Sequence, residues 1–246
     1  MSSNSRLGQT GHLSQRFGTV TGIQSAGLMR PAKQARSRET RDRLLTVGRE
    51  LFERGAFEET HVADIARNAG CSVGAFYQRF PDKEAFFTIL IETAVAEIIA
   101  DAKQFAADES RSRAPIEQTL TNCMRHWANI FGKYQGMYQT ILKRTLCGND
   151  SWAPLRELGP LSLKYIIAML AEKCGQTRSA SFDYRVAAGF QIVFGTMINA
   201  TMHKTVLLSL GSEELISWSS ETLRHCILDD LPSEVLQYGG TRYFLK

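Results

Sequence analysis

The stretch from Thr60 to Phe80 constrains this chain more than any other. It holds two short apolar runs with helical spacing, split by a glycine. Val62, Ile65, Ala66 and Ala69 fall at i, i+3, i+4 and i+7, the stripe of an amphipathic helix. Thr60 or His61 is placed to cap that helix, and Ala69 is small enough to let a second helix cross closely. Gly70 can take the left-handed conformation that a tight turn requires. Ser72 is placed to cap a second helix over Val73 to Arg79, anchored inward by Phe76 and Phe80. Pro81 interrupts, and Asp82 is placed to cap a long helix carrying Ala85, Phe86, Ile89, Leu90, Thr93, Val95 and Ile98. That helix is expected to run to about Ala107, roughly 39 Å at about 1.5 Å per residue.

A supporting helix precedes this unit. From Ser37, apolar residues fall at Leu44, Leu45, Val47, Leu51 and Phe52, and Gly55 acts as a stop. The rest of the chain also reads as helices, with candidates at 115–132, 134–146, 152–174, 181–204 and 211–228. Gly148-Asn149-Asp150, Gly175 and Gly211 punctuate them. No alternating strand pattern and no internal repeat is found. The fold class is therefore all-α: an N-terminal three-helix unit with a helix-turn-helix, linked by the long helix to a C-terminal helical domain.

Charge separates the chain's two ends. Residues 1–43 hold eight Arg and Lys (Arg6, Arg16, Arg30, Lys33, Arg36, Arg38, Arg41 and Arg43) against Glu39 and Asp42. That is a net +6, leaving −2 on the remainder. A basic end on a near-neutral body suits contact with a polyanion, and a solvated basic tail fits the same numbers. Residues 1–35 are rich in Ser, Gly, Gln and Thr without an apolar period and read as a disordered basic arm. The same composition fits a transit peptide, while Met29 offers a second candidate start. No stretch approaches 18 uninterrupted apolar residues, so no membrane span is expected. The five cysteines are scattered, form no CxxC pair and read as reduced, which suits a cytoplasmic protein without a metal site.

Under a helix-turn-helix reading, Ser72, Val73, Ala75, Tyr77, Gln78 and Arg79 are available to face outward from the second helix. A helix fits the major groove of DNA, where its N-terminal residues reach base edges. From Arg36 to about Glu97 the chain resembles the DNA-binding domain of the TetR/AcrR family. The matching residues are the helix Thr40–Phe52, Gly55, Thr60-His61-Val62-x-x-Ile65-Ala66, and then Ala69-Gly70-Cys71-Ser72-Val73-Gly74-x-Phe76-Tyr77-x-x-Phe80-Pro81-x-Lys83-Glu84. The resemblance covers about a quarter of the chain. It implies three divisions: the arm over 1–35, the DNA-binding domain over 36–97, and a C-terminal effector-binding and dimerisation domain over 98–246.

Roles follow from the resemblance residue by residue. Thr60 or His61 would contact a phosphate at the start of the first helix. Ser72 and Tyr77 would hold phosphates at either end of the recognition helix. Ala75, Gln78 and Val73 would meet base edges, with Gln78 able to pair with adenine. Arg79 would reach a base or a phosphate, and Lys83 another phosphate. The position of Val73 is often basic in the family, and an apolar residue there weakens electrostatic grip. The implied function is a one-component, ligand-responsive transcription regulator. It would act as a repressor released from a palindromic double-stranded operator by a small apolar or aromatic effector. A DNA-binding architectural or division-linked protein of the same fold, with no small ligand, is the alternative.

The helices at 181–204 and 211–228 carry apolar residues on more than one face, including Phe194 and Trp218, and so need two partners. The resemblance implies that they pair with symmetry mates in a homodimer. Candidate effector-binding residues are Asn122, His126, Trp127, Phe131, Tyr134, Tyr138, Phe190, Gln191, Phe194 and Asn199. Aromatic residues with a few polar groups describe a ligand site and equally describe a helical core. Neither HExxH nor a phosphate loop occurs, the one GxSxG match (Gly70-Cys71-Ser72-Val73-Gly74) lies within the helix-turn-helix rather than after a strand, and the pair of Glu-x-x-His repeats that a di-iron bundle needs is missing, since only Glu58-x-x-His61 matches. The chain is therefore read as a non-enzyme with no cofactor.

Overall fold

A computed structural model of the chain describes residues 35–108, 114–175, 179–203 and 207–229. The arm expected over 1–35, with its Met29 start, lies outside these residues apart from Ala35. The described residues form helices and turns only. We label the helices α1 (Ala35–Glu53), α2 (Val62–Asn68), α3 (Val73–Tyr77), α4 (Lys83–Ala106), α5 (Ile116–Lys133), α6 (Gln135–Leu146), α7 (Ala153–Lys173), α8 (Ala180–Met202) and α9 (Glu213–Leu228).

Short polar side chains start these helices where the chain must turn. Ser72, Asp82, Ser179 and Ser212 each accept a hydrogen bond from the backbone N–H three residues on, satisfying a donor that the first turn leaves open. His61 occupies the N-cap of α2 but makes no side-chain cap. Thr60 instead donates its hydroxyl to the Ala56 carbonyl at 2.7 Å, so the capping expected of these two residues is corrected. Gly70 sits at φ 63° between α2 and α3, the left-handed turn expected from its position.

An aromatic core fastens the N-terminal helices to the start of α4. Phe76, Phe80 and Phe86 lie within 4.8–5.3 Å of one another by ring centroids, and Phe57 bridges to Phe52 and Phe86. Phe57, Phe76, Phe80 and Phe86 are essentially fully buried, and removing such a ring costs about 3–5 kcal/mol. Helix α4 then continues beyond this core and packs along α7. In the C-terminal half, α9 lies against α5 and α8, and α8 also meets α6 and α7.

Two contacts join the halves beside α4. The first turn of α6 rests on the end of α1, where only a glycine fits. A Cβ on Gly136 would stand 1.9 Å from the Phe52 carbonyl oxygen. Further along α6, Arg144 reaches Glu58 ahead of α2 and Glu84 in the first turn of α4.

Candidate nucleic-acid interface

Helices α2 and α3 form the expected pair around Gly70. The turn is closed by Cys71 N–H donating to the Ala66 carbonyl at 2.9 Å and Gly70 N–H to that of Arg67 at 3.0 Å. Helix α3 is assigned only to Tyr77, yet Phe80 N–H still donates to the Phe76 carbonyl at 2.9 Å, so helical turns persist to Phe80. With Phe76 and Phe80 inward, the opposite side presents Val73, Gly74, Tyr77 and Gln78. Val73 is 41% exposed and Tyr77 43% exposed. Tyr77 leans edge-on against Phe76, with ring centroids 5.5 Å apart, and the uncovered parts of both side chains are available to an external surface.

The remaining candidates divide. Ser72 is exposed, but its hydroxyl oxygen already accepts from Ala75 N–H at 3.1 Å, so its own O–H is what it can offer a phosphate. Ala75 is half-buried, Thr60 is half-buried, and His61 is exposed. Lys83 is half-buried. Its ammonium donates to the Glu58 carbonyl at 2.8 Å and lies 5.0 Å above the Phe57 ring, and burial lowers its pKa. An ammonium has three donors, so one internal bond leaves two.

Arg79 is corrected. It does not face outward: it is only 8% exposed and is spent on internal bonds. Its Nε donates to the Ser37 carbonyl at 3.1 Å, Nη2 to Ser37 Oγ at 3.0 Å, and Nη1 to the Ala75 carbonyl at 2.6 Å. It ties the end of the recognition helix to the start of α1. Arg43 makes a parallel tie, its Nε donating to the Ala69 carbonyl at the end of α2 at 2.9 Å.

The C-terminal candidates likewise separate. Trp127, Phe131, Tyr138, Phe190 and Phe194 come together between α5, α6 and α8. Phe131 stacks on Tyr138 at 4.9 Å, and Phe194 lies 4.8 Å from Trp127 and 5.3 Å from Phe190. Burial raises the pKa of the Tyr138 hydroxyl, which stays neutral. Trp127 Nε1 is buried and meets no acceptor among the described residues. Asn122 is half-buried on α5. His126 and Tyr134 turn to α4. The His126 ring lies 4.2 Å from that of Phe105, and Tyr134 donates its hydroxyl to Glu97 at 2.7 Å. Gln191 and Asn199 are exposed on α8 and do not join the aromatic cluster, a correction that follows from their position on the outward stripe with Ile192 and Gly195.

Two open spaces border this region. One is a groove of about 440 Å³ lined by Asn129, Lys133, Gln135, His203 and Leu210, among others. The other is a crevice of about 50 Å³ between Arg49, Phe52, Leu90, Tyr134 and Met137.

Sequence reasoning missed Arg144. It is 8% exposed and forks to both Glu58 oxygens at 2.5 and 3.1 Å and both Glu84 oxygens at 2.6 and 3.1 Å. Its guanidinium also lies 3.8 Å over the Phe87 ring. Burial opposes its charge, but the hydrogen bonds to Glu58 and Glu84 outweigh it and raise its pKa. Partners 86 and 60 residues away leave no local signal.

Residues 44–88, which span most of α1, all of α2 and α3 and the start of α4, match the family described as bacterial regulatory proteins, tetR family. This match and the similarities that follow support a TetR-family transcription regulator. Over 198 residues it is 24% identical to the HTH-type transcriptional regulator EthR of Mycobacterium tuberculosis, covering 80% of this chain and 88% of EthR. Among solved structures, a TetR-family transcriptional regulator from Mesorhizobium loti superposes with a TM-score of 0.63 at 16% identity, covering 78% of this chain and 97% of its own. FadR of Bacillus subtilis, in complex with stearoyl-CoA, superposes with a TM-score of 0.54 at 16% identity, covering 77% of this chain and 99% of FadR. At such identities the structures establish the shared all-α fold. The regulator is a DNA-binding protein, and none of its described helices is long and apolar enough to cross a membrane.

Proposed function

We propose that the regulator is a homodimeric repressor that leaves a palindromic operator when a small apolar or aromatic effector enters its C-terminal half. In this reading residues 36–97 form the DNA-binding domain and 98–246 the effector and dimerisation domain. The recognition helix reads DNA with Val73, Ala75 and Gln78. Ser72, Tyr77, Lys83 and the α2 start at Thr60 and His61 contact phosphates.

The observation that carries the responsive part is the course of α6. This one helix supplies Tyr138 to the aromatic cluster and, six residues on, Arg144 to Glu58 and Glu84 of the DNA-binding half. An effector that parts the cluster rings must displace α6 or its neighbours, and Arg144 transmits that displacement to the segment carrying α2 and α4. The buried Trp127 N–H supports an effector with one hydrogen-bond acceptor among its apolar atoms, since a buried donor without a partner costs about 1–3 kcal/mol that a ligand oxygen would recover. Dimerisation is supported by exposed apolar side chains on the outer faces of α8 and α9, chiefly Ile192 and Trp218. Phe194 packs into the cluster rather than outward, so Trp218 is the better anchor of that interface.

The close packing of the same aromatic rings favours the second reading, a regulator of this fold without a small ligand. Release of the protein from its operator by a panel of apolar compounds, followed by fluorescence anisotropy, separates the two. The effector reading expects at least one compound to release DNA, and Trp127→Phe to weaken its potency roughly tenfold with operator affinity intact. Release with unchanged potency in Trp127→Phe places the effector elsewhere. No release by any compound, with no shift in thermal midpoint, supports the ligand-free reading.

A further inference from the structure

Among the described residues, Arg79 is a buried cation that no carboxylate pairs with. Its bonds run to neutral oxygens, the carbonyl and hydroxyl of Ser37 and the carbonyl of Ala75. A buried charge without a counter-charge contributes little stability, and a well-packed apolar side chain often serves as well in its place. The fork supplies geometry instead, because a planar guanidinium holds its acceptors at set angles.

That geometry falls where the recognition helix needs it. Helix α3 has five residues, too few to hold its shape alone. Phe76 and Phe80 anchor its inward side. At its end the Arg79 N–H donates to the Phe76 carbonyl at 2.8 Å, three residues back, rather than to that of Ala75. Arg79 Nη1 reaches the Ala75 carbonyl instead, at 2.6 Å, while Nε and Nη2 carry the same side chain to Ser37 in the first turn of α1. Gln78 lies between the two anchors, its N–H donating to the Gly74 carbonyl at 3.0 Å and its side chain exposed. Six residues along α1 from Ser37, Arg43 holds the end of α2. Helix α1 therefore fixes the ends of both helices of the pair.

We propose that Arg79 is a specificity-determining positioning residue. Its fork to Ser37 and Ala75 sets the pitch at which α3 presents Gln78 to a base edge, and Arg79 itself touches no DNA. This rests on the reading of α3 as the recognition helix and adds to it a determinant behind the contact surface. A base contact needs its side chain held within about 0.5 Å, whereas phosphate contacts carry no sequence information to lose. Loss of the fork therefore blurs base selection before it weakens attachment.

Binding titrations of the full chain on a selected operator and on a scrambled duplex, at several salt concentrations, test this. Arg79→Met keeps the buried stem and removes the fork. Arg79→Lys keeps the stem and the charge but ends in a single flexible ammonium. Both are expected to lower the ratio of operator to scrambled affinity about five- to tenfold, with affinity for the scrambled duplex nearly unchanged. In a Gln78→Ala background neither should lower that ratio further, since the contact they position is gone. The slope of log affinity against log salt should stay that of wild type, because no phosphate contact is lost. Circular dichroism accompanies each variant, and if Arg79→Met is unfolded, Arg79→Lys carries the test alone. A wild-type ratio in the folded variants, or an equal loss on both duplexes, overturns the proposal. So does a slope lowered by about one unit in Arg79→Met, which puts Arg79 on a phosphate. A Gln78→Ala variant with an unchanged ratio overturns the reading of α3 itself, which separates that failure from failure of the fork.

Discussion

Replacing Gly136 by alanine tests the joint between the two halves of the regulator. The new Cβ would lie 1.9 Å from the Phe52 carbonyl oxygen and 2.4 Å from its carbon, whereas ordinary contact begins near 3.4 Å. The atoms in conflict are backbone, so no rotamer change relieves them, and α6 must retreat from α1 by about 1.5 Å. Overpacking of this kind costs about 1–3 kcal/mol. The better helix propensity of alanine returns up to about 1 kcal/mol. Even with the full return the net destabilisation reaches about 2 kcal/mol, or up to about 8 °C in thermal midpoint for a chain of this size. Gly132→Ala, in the last turn of α5 four residues earlier, is the control. Its Cβ would meet nothing within 4 Å, so it should be neutral or stabilising. Calorimetry gives the stability of both variants, and anisotropy titration against operator DNA gives their affinity. Because α6 also carries Arg144, Gly136→Ala should change operator affinity as well as stability. Equal midpoints for the two variants would refute the claimed close approach. A destabilised Gly136→Ala with wild-type operator affinity would refute α6 as the link between halves.

Two further outcomes follow from the same geometry. Arg144→Ala leaves Glu58 and Glu84 facing one another and uncovers the Phe87 ring. Both carboxylates are partly exposed, which screens the effect, so chemical denaturation should show a loss of about 1–3 kcal/mol, and an effector that still binds should release DNA less efficiently. Trp218→Glu places a charge on a side chain that is 66% exposed in the single chain. It should convert dimer to monomer in sedimentation velocity without lowering helix content, and a persisting dimer would move the interface away from α9.

The sequence made the DNA-binding half legible because its signals are local. Ser72 and Asp82 announced their caps, Gly70 its turn, and Phe76 and Phe80 their inward stripe, all within a few residues of the structure they determine. Arg79 was misplaced although its signal was present. It stands three residues after Phe76 and one before Phe80, which is the i, i+3, i+4 stripe of the buried face, and its charge argued for solvent against that spacing. The helices of the C-terminal half were also legible, with ends within one or two residues of those observed. Which of their aromatic residues converge was not. Gln191 and Phe190 are adjacent in sequence, and only the packing of α8 against α5 and α6 sends one outward and the other inward. Arg144 and Gly136 were silent for the same reason, since a buried fork and a backbone contact across the fold leave no periodicity behind.

The central claim is that the exposed face of α3 reads DNA bases. The most direct measurement titrates wild type, Tyr77→Phe and Gln78→Ala against an operator selected from random duplexes and against a scrambled duplex, at several salt concentrations. Gln78→Ala should lose about 1–3 kcal/mol on the operator, much less on the scrambled duplex, and relax preference at one base pair per half-site. Tyr77→Phe should lose affinity on both duplexes with little change in salt slope, since it removes a neutral hydroxyl. An equal loss on both duplexes for Gln78→Ala, or wild-type binding by both variants, would contradict the account.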